Sequence, residues 1–163
     1  MFVLPNEIPA DSRVWIYQAN RKFTSEEENK ISTLAKEFVS GWTAHNKDLK
    51  ASFEIRFGIF LILMVDNKHA DASGCSIDKA FHFIQKIEKD FSVSLLDRNI
   101  FAIRYGEEIK LISKKDFEKQ IEKEFSVDTI VFNNLIQTKG ELSTSWQIPI
   151  RDSWHGALHS IRS

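Results

Sequence analysis

Apolar residues recur with a helical period after residue 30. Ile31, Leu34, Ala35, Phe38, Val39 and Trp42 fall at i, i+3, i+4, i+7, i+8 and i+11, a spacing that lines one side of an α-helix. The stretch opens on Thr24-Ser25-Glu26-Glu27, a capping box in which a hydroxyl and a Glu three residues on satisfy two orphan amide donors. The acids at 26–28 suit the positive end of a helix. The pattern predicts a helix ending near His45-Asn46. A strict alternation follows: Ala51, Phe53, Ile55 and Phe57 against Ser52, Glu54 and Arg56, a strand with one apolar and one polar face. Beyond the turn candidate Gly58, Ile59 to Val65 is unbroken apolar sequence closing at Asp66, as in a strand buried on both sides. Both strands are expected at the centre of the sheet. Arg13 to Ala19 is β-branched and aromatic and predicts another strand covered on both faces.

Ile77, Ala80, Phe81, Ile84, Ile87 and Phe91 predict a second helix, capped by Ser73 or Ser76. Ile100 to Tyr105 and Ile109 to Ser113 flank Gly106-Glu107-Glu108 as a hairpin. Ser113 then caps a short helix with Phe117, Ile121 and Phe125 inward, and Thr129 to Phe132 is a brief strand. Residues 133–163, with Trp146, Pro149 and Trp154-His155, read as strand and loop. The order strand, helix, strand, strand, helix, strand is that of the ferredoxin-like split βαβ. The expected fold is therefore α+β: a ferredoxin-like βαββαβ core with an additional hairpin strand, a short helix and an irregular C-terminal tail. Such a sheet carries both helices on one face. The tail, a second copy of the chain or a ligand must cover the other.

Composition adds bounds. At 163 residues without a Pro/Gly-rich linker, one domain over residues 1–163 is expected. The net charge of −1 gives no electrostatic argument for nucleic acid or an anionic membrane. A lone cysteine forms no internal disulfide, which fits a reducing cytoplasm. The opening MFVLPNEIPADSR lacks the basic and apolar regions of a signal peptide. The longest apolar run, Ile59 to Val65, is far shorter than the roughly 20 residues of a spanning helix.

The segments SRVWIYQANR (12–21), KASFEIRFG (50–58), ASGCSID (72–78), VFNNL (131–135) and SWH (153–155) resemble a family of small uncharacterised bacterial proteins of about this length. Members carry the label "ABC transporter ATPase", which implies nucleotide hydrolysis. The sequence departs from that label: among its six glycines no G-x-x-x-x-G-K-[ST] string occurs, and a P-loop needs one to hold phosphate. The resemblance groups the chain and carries no catalytic residue over to it.

Candidate chemistry centres on Cys75. It follows Gly74 at a helix start, where amide groups and the helix dipole favour a thiolate nucleophile. His45, His69 or His155 would have to serve as base, since His82 lies two helical turns away. The bland reading is a small buried residue, the usual state of free Cys. Asp78, with Asp66 and Asp71, is a candidate Mg²⁺-holding or acid–base group; the plainer reading is an acid at the favourable helix end for Asp78 and turn residues for Asp66 and Asp71. His69, Asp71 and Cys75 lack the paired spacing of a metal site, so no metal or cofactor is expected. Glu54 and Arg56 share a strand face. If that face is covered they must pair, and a covered Arg suits an anionic ligand through its planar donor fork. Trp15 and Tyr17 would join Arg56 and Arg104 there. Asn133 and His155 lie in irregular segments, where ligand-binding groups concentrate, although Asn also suits turns. Two functional classes follow. The first is a cytoplasmic non-catalytic module binding a small anionic ligand or a protein, possible as a homodimer through the open sheet face. The second is an enzyme with Cys75 as nucleophile. Nucleotide-related activity stands third, on the resemblance alone.

Overall fold

The structure, a computed structural model, describes residues 1–121 and 123–160. Its contacts divide the chain into two compact units, Met1–Leu96 with Gln137–Gly140, and Asp97–Ile136 with Glu141–Ser163. The class is mixed α+β with antiparallel sheets.

The first unit holds strand β1 (Arg13–Gln18), helix α1 (Ser25–Ser40), the two-residue strands β2 (Thr43–Ala44) and β3 (Lys47–Asp48), strands β4 (Ala51–Arg56) and β5 (Phe60–Val65), and helix α2 (Gly74–Phe91). The capping box forms as predicted. Thr24 Oγ1 accepts from the Glu27 amide at 3.1 Å, and Glu27 Oε1 from the Thr24 amide at 2.9 Å. The helix ends earlier than its apolar periodicity suggests, at Gly41. His45 and Asn46 take positive φ angles of 50° and 64°, the left-handed pair that turns a two-residue hairpin, so they close β2 onto β3. Trp42 lies beyond the helix and donates its indole N–H to the Ser76 carbonyl at 2.8 Å.

The sheet runs β1-β5-β4, all antiparallel. The fully buried β5 is central, whereas β4 is an edge strand, contrary to the central place expected for both. Beyond Ala51, which pairs with the Met1–Val3 segment, no further strand among the described residues lies outside β4. The pairing register puts Trp15, Tyr17, Leu63, Val65, Ala51 and Phe53 on one face. That face packs against Val39 of α1, Trp42 and Ala80 of α2. On the opposite face stand Val14, Ile16, Gln18, Phe60, Ile62, Met64, Ser52, Glu54 and Arg56. Trp15 and Tyr17 thus lie across the sheet from Arg56, not beside it. Burial raises the Tyr17 phenol to a pKa of about 12.

The strand predicted to complete the ferredoxin-like core, residues 100–105, belongs to the other sheet. The outer edge of β1 is already taken. Val14 N–H donates to the Gln137 carbonyl at 2.9 Å, Lys139 N–H to Ser12 at 2.9 Å and Gly140 N–H to Ala10 at 2.7 Å. A returning segment far down the chain fills the position a fourth strand needs.

The second unit contains β6 (Ile100–Tyr105), β7 (Glu108–Ser113), α3 (Lys114–Gln120), β8 (Ile130–Phe132), α4 (Glu141–Thr144), β9 (Gln147–Pro149) and α5 (His155–Ser160). Its sheet runs β7-β6-β8-β9, all antiparallel. Phe101, Ile103, Ile112, Phe117, Ile121, Phe125, Val131 and Ile150 form its core, including the three residues predicted inward on the short helix. The tail is more regular than its sequence suggests, with two short helices and a strand. Trp146 is fully buried and its indole N–H donates to Asn134 Oδ1 at 2.9 Å.

Candidate functional site

The polar face of β4 carries the most suggestive group. Alternation along the strand puts Ser52, Glu54 and Arg56 on one side, opposite Met64, Ile62 and Phe60 of β5. Arg56 Nε lies 2.9 Å from Glu54 Oε1, with both side chains about one-third exposed (33% and 32%). Glu54 and Arg56 pair with each other although neither is fully covered. Ser52 is wholly buried, and among the described residues no partner hydrogen-bonds its hydroxyl. A buried polar atom without a partner is uncommon and costs about 1–3 kcal/mol. Sequence reasoning passed over Ser52 because a serine on a polar strand face is unremarkable. Its burial is a property of the folded sheet, which alternation along β4 alone does not reveal.

Cys75 is exposed in the first turn of α2, which overturns the reading of a small core residue. Its neighbour Ser76 is buried instead, because it does the local hydrogen-bonding. Ser76 N–H donates to Ser73 Oγ at 3.2 Å, Ser73 N–H donates to Ser76 Oγ at 2.7 Å, and the Ser76 carbonyl receives Trp42. Small side chains at Ser76 and Ala80 let α2 approach Trp42 and turn Ile77 and Phe81 outward, 43% and 41% exposed. Asp78 is exposed one turn along. Among the described residues no imidazole hydrogen-bonds Cys75, and no ion pair holds Asp78. The thiol has an accessible position. Asp66 is committed to the loop: it accepts from the Lys68 amide at 3.0 Å and lies 3.7 Å from Lys50 Nζ.

Asn133 and His155 lie in the second unit and serve its packing. Asn133 Oδ1 accepts from the Leu135 amide at 3.2 Å, and the Asn133 amide donates to the Trp146 carbonyl at 2.6 Å. That is the turn-forming use of Asn. His155 is 1% exposed. Its Nδ1 lies 2.9 Å from Ser153 Oγ, and its ring stacks on Trp154 at 3.8 Å and meets Phe101 edge-on at 4.9 Å. Burial among these rings lowers its pKa to about 4, because charging the imidazole there forfeits hydration. A Ser–His contact of this kind resembles a nucleophile and base, but the serine also accepts the His155 amide at 3.0 Å and so closes a tight turn.

Among the described residues no set of three or more His, Cys, Asp or Glu side chains is placed to hold a metal ion. No helix among them is long and apolar enough to cross a membrane. No family model, no curated protein and no solved structure matches the chain.

Proposed function

We propose that the protein is a non-catalytic binding module that recognises a small anionic ligand along the polar side of β4. The observation that carries this reading is the Glu54–Arg56 pair, set on one face of β4 with both side chains about one-third exposed. Glu54 fixes the guanidinium of Arg56 through Nε, and a guanidinium is a planar donor fork suited to carboxylate or phosphate. A ligand would meet Arg56, which is about one-third exposed. A homodimer through this face is the weaker version of the proposal. Phe60, Ile62, Met64 and Ser52 are already fully buried within one chain, and a partner has little apolar surface left to cover. The unit Met1–Leu96 is read as the first five elements of a ferredoxin-like arrangement, and the lone thiol favours a cytoplasmic setting. Nucleotide hydrolysis rests on the resemblance alone, without a P-loop.

Calorimetric titration with inorganic phosphate, succinate and citrate tests the proposal. Saturable binding of at least one anion is expected and is abolished in Arg56→Ala. Absence of heat for all three at millimolar concentration would remove the ligand reading.

The enzyme reading keeps one favourable observation, the exposure of Cys75 at the start of α2. Alkylation of the native protein is therefore expected at a rate comparable with the unfolded chain. A native rate well above the unfolded one at pH 6 would mark an activated thiolate and move the account to Cys75.

A further inference from the structure

The two outer strands of the second sheet differ in how they meet solvent. β9 is three residues long and ends in Pro149, a combination that resists further pairing. β7 has six residues and no proline. Its outward groups follow from the ladder. Lys114 N–H donates to the Asn99 carbonyl at 2.7 Å, which makes that position a hydrogen-bonded pair. Alternation then turns Ile112, Lys110 and Glu108 toward β6, and the N–H and C=O groups of Leu111 and Ile109 away from it. Among the described residues no hydrogen bond engages those outward groups.

Beside this edge lies an open groove of about 540 Å³ lined by Tyr105, Glu108, Ile109, Lys110 and Glu124. Lys110 Nζ stands 3.7 Å from Glu124 and 5.9 Å from the centre of the Tyr105 ring. Lys110 and Glu124 balance one another, so Glu108 leaves a surplus negative charge next to an aromatic ring that is 43% exposed. A cationic side chain complements both, through an ion-paired hydrogen bond and stacking on the ring.

We infer that β7 receives an extended segment of a partner protein, which adds a strand at Ile109 and Leu111 and places a Lys or Arg side chain in the groove beside Tyr105 and Glu108. The main chain supplies the pairing and the groove supplies the selection, as in other strand-addition complexes. A second copy of the chain is the competing occupant: centring antiparallel self-pairing on Lys110 sets two ammonium groups directly opposite, whereas centring it on Ile109 sets Glu108 opposite Lys110. This inference stands apart from the anion site on β4.

The test uses two capped peptides, acetyl-Thr-Val-Thr-Val-Arg-amide and the version with Glu in place of Arg, titrated into the full ¹⁵N-labelled chain; antiparallel addition at Leu111 and Ile109 sets the last side chain opposite Glu108. The Arg peptide is expected to shift the Ile109 and Leu111 amides saturably and slow their hydrogen exchange. The Glu peptide is expected to bind about tenfold more weakly or less. Leu111→Pro removes one outward donor without breaking a ladder bond to β6, and is expected to abolish binding. Should that variant fail to fold, Glu108→Lys serves instead and is expected to reverse the preference between peptides. Equal binding of both peptides, or no saturable shift at millimolar peptide, overturns the inference. Concentration-dependent shifts of the same amides without peptide also overturn it, since the occupant is then a second copy.

Discussion

Arg21 and Glu27 meet through two contacts of 2.8 Å, and Arg21 donates a third hydrogen bond of 2.8 Å to the Phe91 carbonyl. One guanidinium thus ties the start of α1 to the end of α2. The Arg21 hydrogen bonds, with the Thr24 amide second, hold the Glu27 carboxyl at a pKa of about 2. The stabilisation is present above the ordinary value of 4.5 and is lost as pH falls toward 2. Glu27→Gln is expected to lower the thermal midpoint at pH 7 and to match the parent near pH 2, as scanning calorimetry across that range would show. His155 works at higher pH. The folded chain keeps it neutral down to about pH 4, whereas an unfolded imidazole takes its proton near 6.5. Stability is full above 6.5 and falls as the pH drops toward 4, by roughly 3 kcal/mol. Denaturant titrations at pH 7 and 4.5 should show this slope, and His155→Phe should flatten it. An unchanged slope in that variant would mean that other groups carry the acid sensitivity.

Among the elements, α1 and α2 show what a sequence can and cannot disclose. The Thr24 capping box and the Ser73 cap were legible because their donors and acceptors lie within three residues of each other. The apolar stripe of α1 was legible, but its end was not. Trp42 continues the spacing yet leaves the helix, because its indole N–H finds the Ser76 carbonyl on another element. The same contact sets the rotation of α2 and exposes Ile77 and Phe81, which periodicity alone placed inward. Trp42→Phe keeps most of the ring and removes the donor. It is expected to destabilise the chain by about 1–3 kcal/mol, measured by denaturant unfolding. A change within experimental error would mean that the Ser76 carbonyl finds another donor and that apolar packing sets the register of α2.

At the scale of the whole molecule, strands were legible and their partners were not. Alternation identified β4 and continuous apolar sequence identified β5, since each pattern reports the strand's own two faces. Neither pattern reports edge positions. The pairing of β1 with residues 137–140 joins segments more than 100 residues apart and displaces the fourth strand of the expected core. The candidate site divides in the same way. Glu54 and Arg56 were found because they lie on one strand face. The burial of Ser52, whose hydroxyl has no partner among the described residues, appears only in three dimensions. Cys75 was found by its type, and its exposure follows from Ser76 taking the inward position.

The most direct measurement of the central claim is a ¹H–¹⁵N titration that follows the Arg56 side-chain Nε–H and the Glu54 amide as phosphate, succinate or citrate is added. The account predicts that both resonances move together and saturate for the same anion, while the Cys75 amide stays fixed. If neither moves, or if the Cys75 amide alone responds, β4 is not the recognition surface and the binding-module reading is wrong.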